Sequence, residues 1–154
     1  MSGKFETRLV ELGIELPNPS TPAANYVPFV QVGDLVYISG QISMDASGMV
    51  KGKLGDGFSL DDAYAAARLC GINLITQVRA ACGGDLDRLV RVVKLNGFVN
   101  ATPDFTDHPK VINGTSDLMV EVFGDQGRHA RAAVGTSSLP FGVAVEVEGI
   151  FLIA

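Results

Sequence analysis

The chain has 154 residues and 16.2 kDa, enough for one domain with a proper core and too little for two of ordinary size. Apolar residues make up 47% and charged residues 19%, more apolar character than a monomer of this size needs inside, so part of the surface is expected to face a copy of itself. A net charge of -5, with no Lys/Arg cluster to build a local basic field, argues against a nucleic-acid partner.

The first ten residues, MSGKFETRLV, hold no apolar stretch of signal-peptide length, and the sequence has no 18-residue uncharged apolar run. A cytoplasmic protein without a membrane partner is therefore expected. Lys4 to Leu12 sets Phe5, Leu9 and Leu12 at helical spacing before Gly13 and Pro17 stop it. The stretch Pro17 to Ala24, rich in Pro, Ser, Thr and Ala, reads as a connecting loop, and then come two strands, Tyr26 to Gln31 and Leu35 to Ile42, around a turn at Gly33-Asp34. Ser59 heads the clearest helix: Asp62 stands three residues on, as in a capping box, and both Asp61 and Asp62 favour the positive end of the helix dipole. Ala63, Ala66, Ala67, Cys70, Leu74, Val78 and Ala81 make its apolar stripe, and Gly83-Gly84 ends it. Cys70 and Cys82 are separated by about 18 Å at the helical rise, beyond disulfide reach, so both are expected to be free thiols in a reducing compartment.

Leu89 to Val99 reads as a strand buried on much of both faces, broken at Arg91 and Lys94. A second helix starts with Pro109 at its first position, turns Val111, Thr115, Leu118, Met119 and Val122 inward, and stops at Gly124. The strands Ala130 to Ser137 and Val143 to Ile153 close the chain as a hairpin around Ser138-Leu139-Pro140-Phe141-Gly142. The order β-β-α-β-α-β-β predicts an α+β domain, one mixed sheet with both main helices on a single face. Covering the opposite face then falls to other subunits of a closed symmetric assembly.

Chemistry-bearing residues concentrate near the end of the chain. In the last strand Val143, Val145 and Val147 face one way, while Ala144, Glu146, Glu148, Ile150 and Leu152 face the other. Two carboxylates thus share a face with large apolar residues, either as solubility gatekeepers of an edge strand or as working acids. Arg131 stands among the small residues Ala130, Ala132 and Ala133, where a guanidinium has room to fork onto a carboxylate. That carboxylate is either a ligand's or that of Glu146 or Glu148 across the hairpin. Tyr26 and the run Ser39-Gly40-Gln41 offer weaker polar candidates. His108 and His129 are expected to be solvated, with no Ser or Cys at a spacing that marks a nucleophilic pair. No phosphate loop and no zinc-ligand spacing occur, so no metal or other cofactor is expected.

The run Val32-Gly33-Asp34-Leu35-Val36-Tyr37-Ile38-Ser39-Gly40-Gln41 resembles the hairpin signature of the reactive-intermediate-deaminase (Rid/YjgF) family, also labelled endoribonuclease L-PSP. The stretch from Arg131 through Leu139-Pro140 to Val145-Glu146-Val147-Glu148 is similar to that family's closing motif, and Asn113 in Val-Ile-Asn-Gly also fits. The resemblance covers residues 26–154 and leaves 1–25 as an N-terminal helix-and-loop extension of a single domain spanning 1–154. It implies a chorismate-mutase-like fold and a homotrimer whose sheets face inward, with a cleft for a small carboxylate-bearing metabolite at each subunit interface. It further implies hydrolysis of 2-enamine and 2-imine acids, such as 2-aminoacrylate or 2-iminobutyrate, to 2-keto acids and ammonia without a cofactor. By the same resemblance Arg131 would hold the carboxylate, Glu146 would activate water, and Tyr26, Ser39 and Asn113 would line the pocket. Two other readings stay open: a trimer that only binds or senses a small carboxylate, and an endoribonuclease. Two departures stand out. The chain has Ala24-Asn25-Tyr26-Val27-Pro28 where the family has Gly-Pro-Tyr-Ser-Gln, and Ala133 where a cysteine is frequent.

Overall fold

The computed structural model describes residues 2–19, 21 and 24–154. Helix α1 (Lys4–Glu11) buries Phe5 and Leu9, and the ring of Phe5 meets that of Phe123 edge-on at 4.9 Å. Its first free amides are satisfied from a distant loop, since Asp87 accepts from the backbone N–H groups of Lys4 and Phe5.

Strands β1 (Phe29–Val32) and β2 (Leu35–Ile42) form the expected hairpin, although β1 starts later than the sequence suggests and leaves Tyr26 in the preceding loop. Gly33 takes φ +60 at the first turn position, a conformation that a side chain there would resist. A small hairpin, β3 (Met44–Asp45) and β4 (Gly48–Met49), follows; the sequence reading missed it because two-residue strands carry no periodicity.

Ser59 caps the start of α2 (Leu60–Ala81) as expected, its hydroxyl accepting from the Asp62 amide at 3.1 Å. The buried face of α2 is wider than one stripe and includes Gly71, Ile75, Thr76 and Gln77. The reason is that α2 packs on the sheet and on α3 (His108–Phe123) together. Gly71 and Gly114 let the two helices close up: a Cβ on Gly114 would lie 2.1 Å from the Tyr64 carbonyl oxygen. The hydroxyl of Thr115 donates to the Ala67 carbonyl across the same contact. Among the described residues no helix is long and apolar enough to cross a membrane. Both cysteines are free, as expected; both are also buried, and burial pushes both thiols up.

Strands β5 (Leu89–Asn100), β6 (Ala130–Thr136) and β7 (Val145–Ile153) complete a five-stranded sheet of order β1-β2-β7-β5-β6. The register of β5 slips near Arg91 and Lys94, where the sequence shows breaks. One correction is topological: β6 and β7 are not a hairpin. The chain returns from α3 to lay β6 parallel to β5, the usual outcome of a strand–helix–strand crossover, and β7 then pairs antiparallel with the opposite edge of β5 and with β2.

Both main helices cover one face, and Val36, Leu95, Val99, Val145, Val147 and Phe151 point into that core. In β7 burial alternates residue by residue as the sequence requires. Ala144 departs from the pattern: it precedes β7, is fully buried, and its backbone bonds to Val50 and Asn100. β5 is not buried on both faces either, since Asn96 and Phe98 lie on the open side of the sheet and are only partly covered. Tyr37 pairs with Ile150 and Leu35 with Leu152 on that same open face, next to exposed Val30 and Val32.

Candidate functional site

The residues singled out in the sequence fall into two groups. Tyr26, Ser39 and Glu146 line one cleft of about 460 Å³, together with Gln41 and Phe141. Asn113 and Arg131 meet elsewhere, at the outer edge of the sheet, with Arg131 Nη1 donating to Asn113 Oδ1 at 2.8 Å. A groove of about 750 Å³ between the end of α1 and α2 contains none of these five, and the arginine lining it, Arg68, is already paired with Glu121 at 3.0 Å.

The cleft is built by an irregularity in β2. Register with β7 shifts between Ile38 and Gln41, and at the bulge Gly40 offers no side chain; a Cβ there would lie 2.5 Å from Glu146 Oε1. The Glu146 carboxylate therefore rests against the β2 backbone. Burial raises its pKa above the ordinary carboxylate range, and the neighbouring charge of Glu148 adds to that. The Ser39 hydroxyl donates to the Val27 carbonyl at 2.7 Å and its amide to the Pro28 carbonyl at 2.9 Å, which fixes the loop carrying Tyr26. Phe141 stands 70% exposed at the cleft with φ +60, a conformation unfavourable for a bulky residue.

At the outer edge, β6 sets Arg131 opposite Leu95 on the helix-covered side of the sheet, whereas Glu146 sits opposite Phe98 on the open side. An ion pair between Arg131 and either acid of β7 is excluded by this topology, because β5 separates the strands and the side chains leave opposite faces. Arg131 is instead held by neutral acceptors, Asn113 and the Ser116 hydroxyl at 3.2 Å. His129 is not solvated as the sequence suggests. It is half-buried, with Nδ1 2.6 Å from the Gly127 carbonyl oxygen and Nε2 2.8 Å from Ser116 Oγ, and burial lowers its pKa. His108 is also partly covered, packed over Gly135 with its ring edge-on to Phe105.

Sequence reasoning missed Ser116 and Phe141, and it set His129 aside as solvated. Only Phe141 left a readable sign, a large aromatic between Pro140 and Gly142 in a turn.

A family described as "YjgF/chorismate_mutase-like, putative endoribonuclease" matches residues 6–150. The chain belongs to the YjgF/Rid family. Its fold is accordingly the chorismate-mutase-like α+β domain of Rid proteins. Among Rid relatives, Protein TCP17 of Trypanosoma cruzi is 48% identical over 151 residues, 97% of this chain and 94% of that protein. The 2-iminobutanoate/2-iminopropanoate deaminase of Dermatophagoides farinae is 32% identical over 142 residues, covering 91% and 94%. The crystal structure of the protein Atu1372 from Agrobacterium tumefaciens, of unknown function, superposes with a TM-score of 0.91 at 48% identity over 97% of this chain and 92% of that one.

Proposed function

We propose that this protein is a homotrimer that hydrolyses small 2-imine and 2-enamine acids to 2-keto acids and ammonia, in a cytoplasmic compartment and without a cofactor. The observation that carries the reading is Arg131: a half-buried guanidinium held by neutral acceptors, in none of the ion pairs among the described residues. A cation so placed calls for an anion from outside the chain. The printed name of the Dermatophagoides farinae relative supplies the chemical class.

Arg131 and Glu146 leave opposite faces of one sheet, so a substrate touching both must lie between copies. The outer strand β6 offers the small, exposed residues Ala130 and Ala132 for a close approach. The partly apolar open face supplies the area for a closed assembly. Within such an interface the Arg131 edge of one subunit faces the Glu146 cleft of the next.

The substrate carboxylate docks on the Arg131 fork, which places C2 of the imine next to water held by Glu146. Glu146 takes a proton as the water oxygen bonds to C2, and the raised pKa makes its carboxylate a better acceptor. The proton passes to the nitrogen of the carbinolamine, the Glu146 carboxylate takes up the hydroxyl proton as the carbonyl forms, and the C–N bond breaks to release ammonia. An enamine substrate first accepts a proton at C3, which gives the imine. Tyr26, Ser39 and Asn113 shape the pocket.

The test is ammonia release from freshly generated 2-iminobutyrate. Arg131→Lys keeps the charge but loses one of two parallel hydrogen bonds, worth roughly 1.5 to 3 kcal/mol, so substrate capture should fall about 10- to 150-fold. Arg131→Ala should be worse. A wild-type protein that pyruvate protects from heat, yet releases ammonia no faster than buffer, is a carboxylate-binding protein and no enzyme. Turnover of RNA at physiological salt would instead favour the endoribonuclease reading, against which the acidic charge stands.

A further inference from the structure

We infer that Ser116 and His129 are positioning residues that lock the Arg131 guanidinium with its Nε–Nη2 edge turned to the ligand, an inference that rests on Arg131 being the carboxylate anchor. The directions of the hydrogen bonds follow one from another. The Gly127 carbonyl only accepts, so His129 Nδ1, 2.6 Å away, carries the hydrogen. In a neutral ring Nε2 is then an acceptor, and the Ser116 hydroxyl 2.8 Å away donates to it. With its proton committed, Ser116 Oγ turns a lone pair to Arg131 Nη1 at 3.2 Å. The second Nη1 hydrogen goes to Asn113 Oδ1 at 2.8 Å. Nη1 is thereby fully used. Among the described residues nothing accepts from Nε or Nη2, and these two nitrogens form the side-on fork that fits a carboxylate.

The far end of the chain of bonds is rigid. A Cβ on Gly127 would lie 2.1 Å from the Met119 carbonyl oxygen, so glycine lets this backbone press against α3 and fixes the carbonyl that sets the His129 tautomer. The charged groups around His129 leave one that acts on it. Arg131 on β6 lowers its pKa, after the larger effect of burial. Asp117 on α3 is engaged by the Tyr64 hydroxyl at 2.6 Å, and Asp125 in the turn before β6 lies 3.4 Å from Arg128. Protonation would put a hydrogen on Nε2 and remove the acceptor of the Ser116 proton, so the lock needs the neutral ring, which burial favours.

Nitrogen and proton NMR of the two imidazoles tests this, with His129 assigned from a His129→Phe variant. Without ligand, His129 should show the Nδ1–H tautomer; the Nε2–H tautomer overturns the inference. With pyruvate bound the Nδ1–H tautomer should persist, and a switch to Nε2–H on binding also overturns it. Ser116→Ala and His129→Phe should each weaken pyruvate binding about tenfold, while Ser116→Thr, which keeps the hydroxyl, should stay within about twofold of wild type. Wild-type affinity in Ser116→Ala and His129→Phe, with binding lost in Arg131→Ala, sinks the positioning role and spares the anchor. Wild-type affinity in Arg131→Ala sinks both.

Discussion

Glu146 carries an energetic conflict that a catalytic role explains and a gatekeeper role does not. It is half-buried beside a second carboxylate, and both circumstances raise its pKa, so its ionised form destabilises the folded chain. The sign follows from linkage: a carboxyl whose folded pKa exceeds its unfolded value contributes most stability below both, and loses it as pH rises through the folded pKa. Glu146→Gln should therefore melt higher than wild type at neutral pH, with the difference closing below about pH 4, near the ordinary carboxylate pKa. In scanning calorimetry, a variant less stable than wild type at pH 7 would contradict this. The same substitution should lower turnover about 10²- to 10⁴-fold, the range of a lost general base, whereas Glu148→Gln should change it little. Equal losses in the two variants would mean that the water-activating role is assigned to the wrong acid.

At the scale of elements, a tight joint lies between α2 and α3. Placing a methyl group on Gly114 drives it into the Tyr64 carbonyl, so Gly114→Ala should cost about 1 to 3 kcal/mol in urea unfolding. Removing the cap with Ser59→Ala should cost only about 1 kcal/mol, because one hydrogen bond at an exposed helix start is lost and nothing collides. A larger loss for Ser59→Ala would reverse that order and with it the account of the joint. These two sites also show what the sequence makes legible. Ser59 and Asp62 are three apart and their geometry is local, so cap and helix start read correctly. Gly114 looks like any glycine inside an apolar stripe until Tyr64 is brought over it. The β7 alternation was readable from period two alone, but its partner strands were not, because pairing depends on a crossover that adjacent strands do not advertise. Arg131 and Glu146 stand out by residue type; Ser116 and His129 acquire meaning only once α3 and β6 are side by side.

For the whole molecule, the open sheet face is the feature to test. Ile150 and Leu152 on β7, Tyr37 on β2 and Val134 on β6 sit there with partial or full exposure in the single chain. Burying such a face between copies yields roughly 25 cal/mol for each Å² of apolar surface, and a charge placed on it forfeits that and adds desolvation. Light scattering at micromolar concentration should return three times 16.2 kDa for the wild type. Ile150→Asp should shift the mass toward one chain and abolish ammonia release together. Full activity from a 16.2 kDa species would show that the site does not need a second copy.

The strand order has a consequence for how the chain is made. β7, which follows the other four strands of the sheet in chain order, lies between β2 and β5 and hydrogen-bonds to both. Until it arrives, the first hairpin and the β5–α3–β6 unit share no strand pairing, and each exposes an unpaired edge. Nascent chains stalled before Val145 should stay protease-sensitive and chaperone-bound, and folding should come late and in one step once β7 threads the gap.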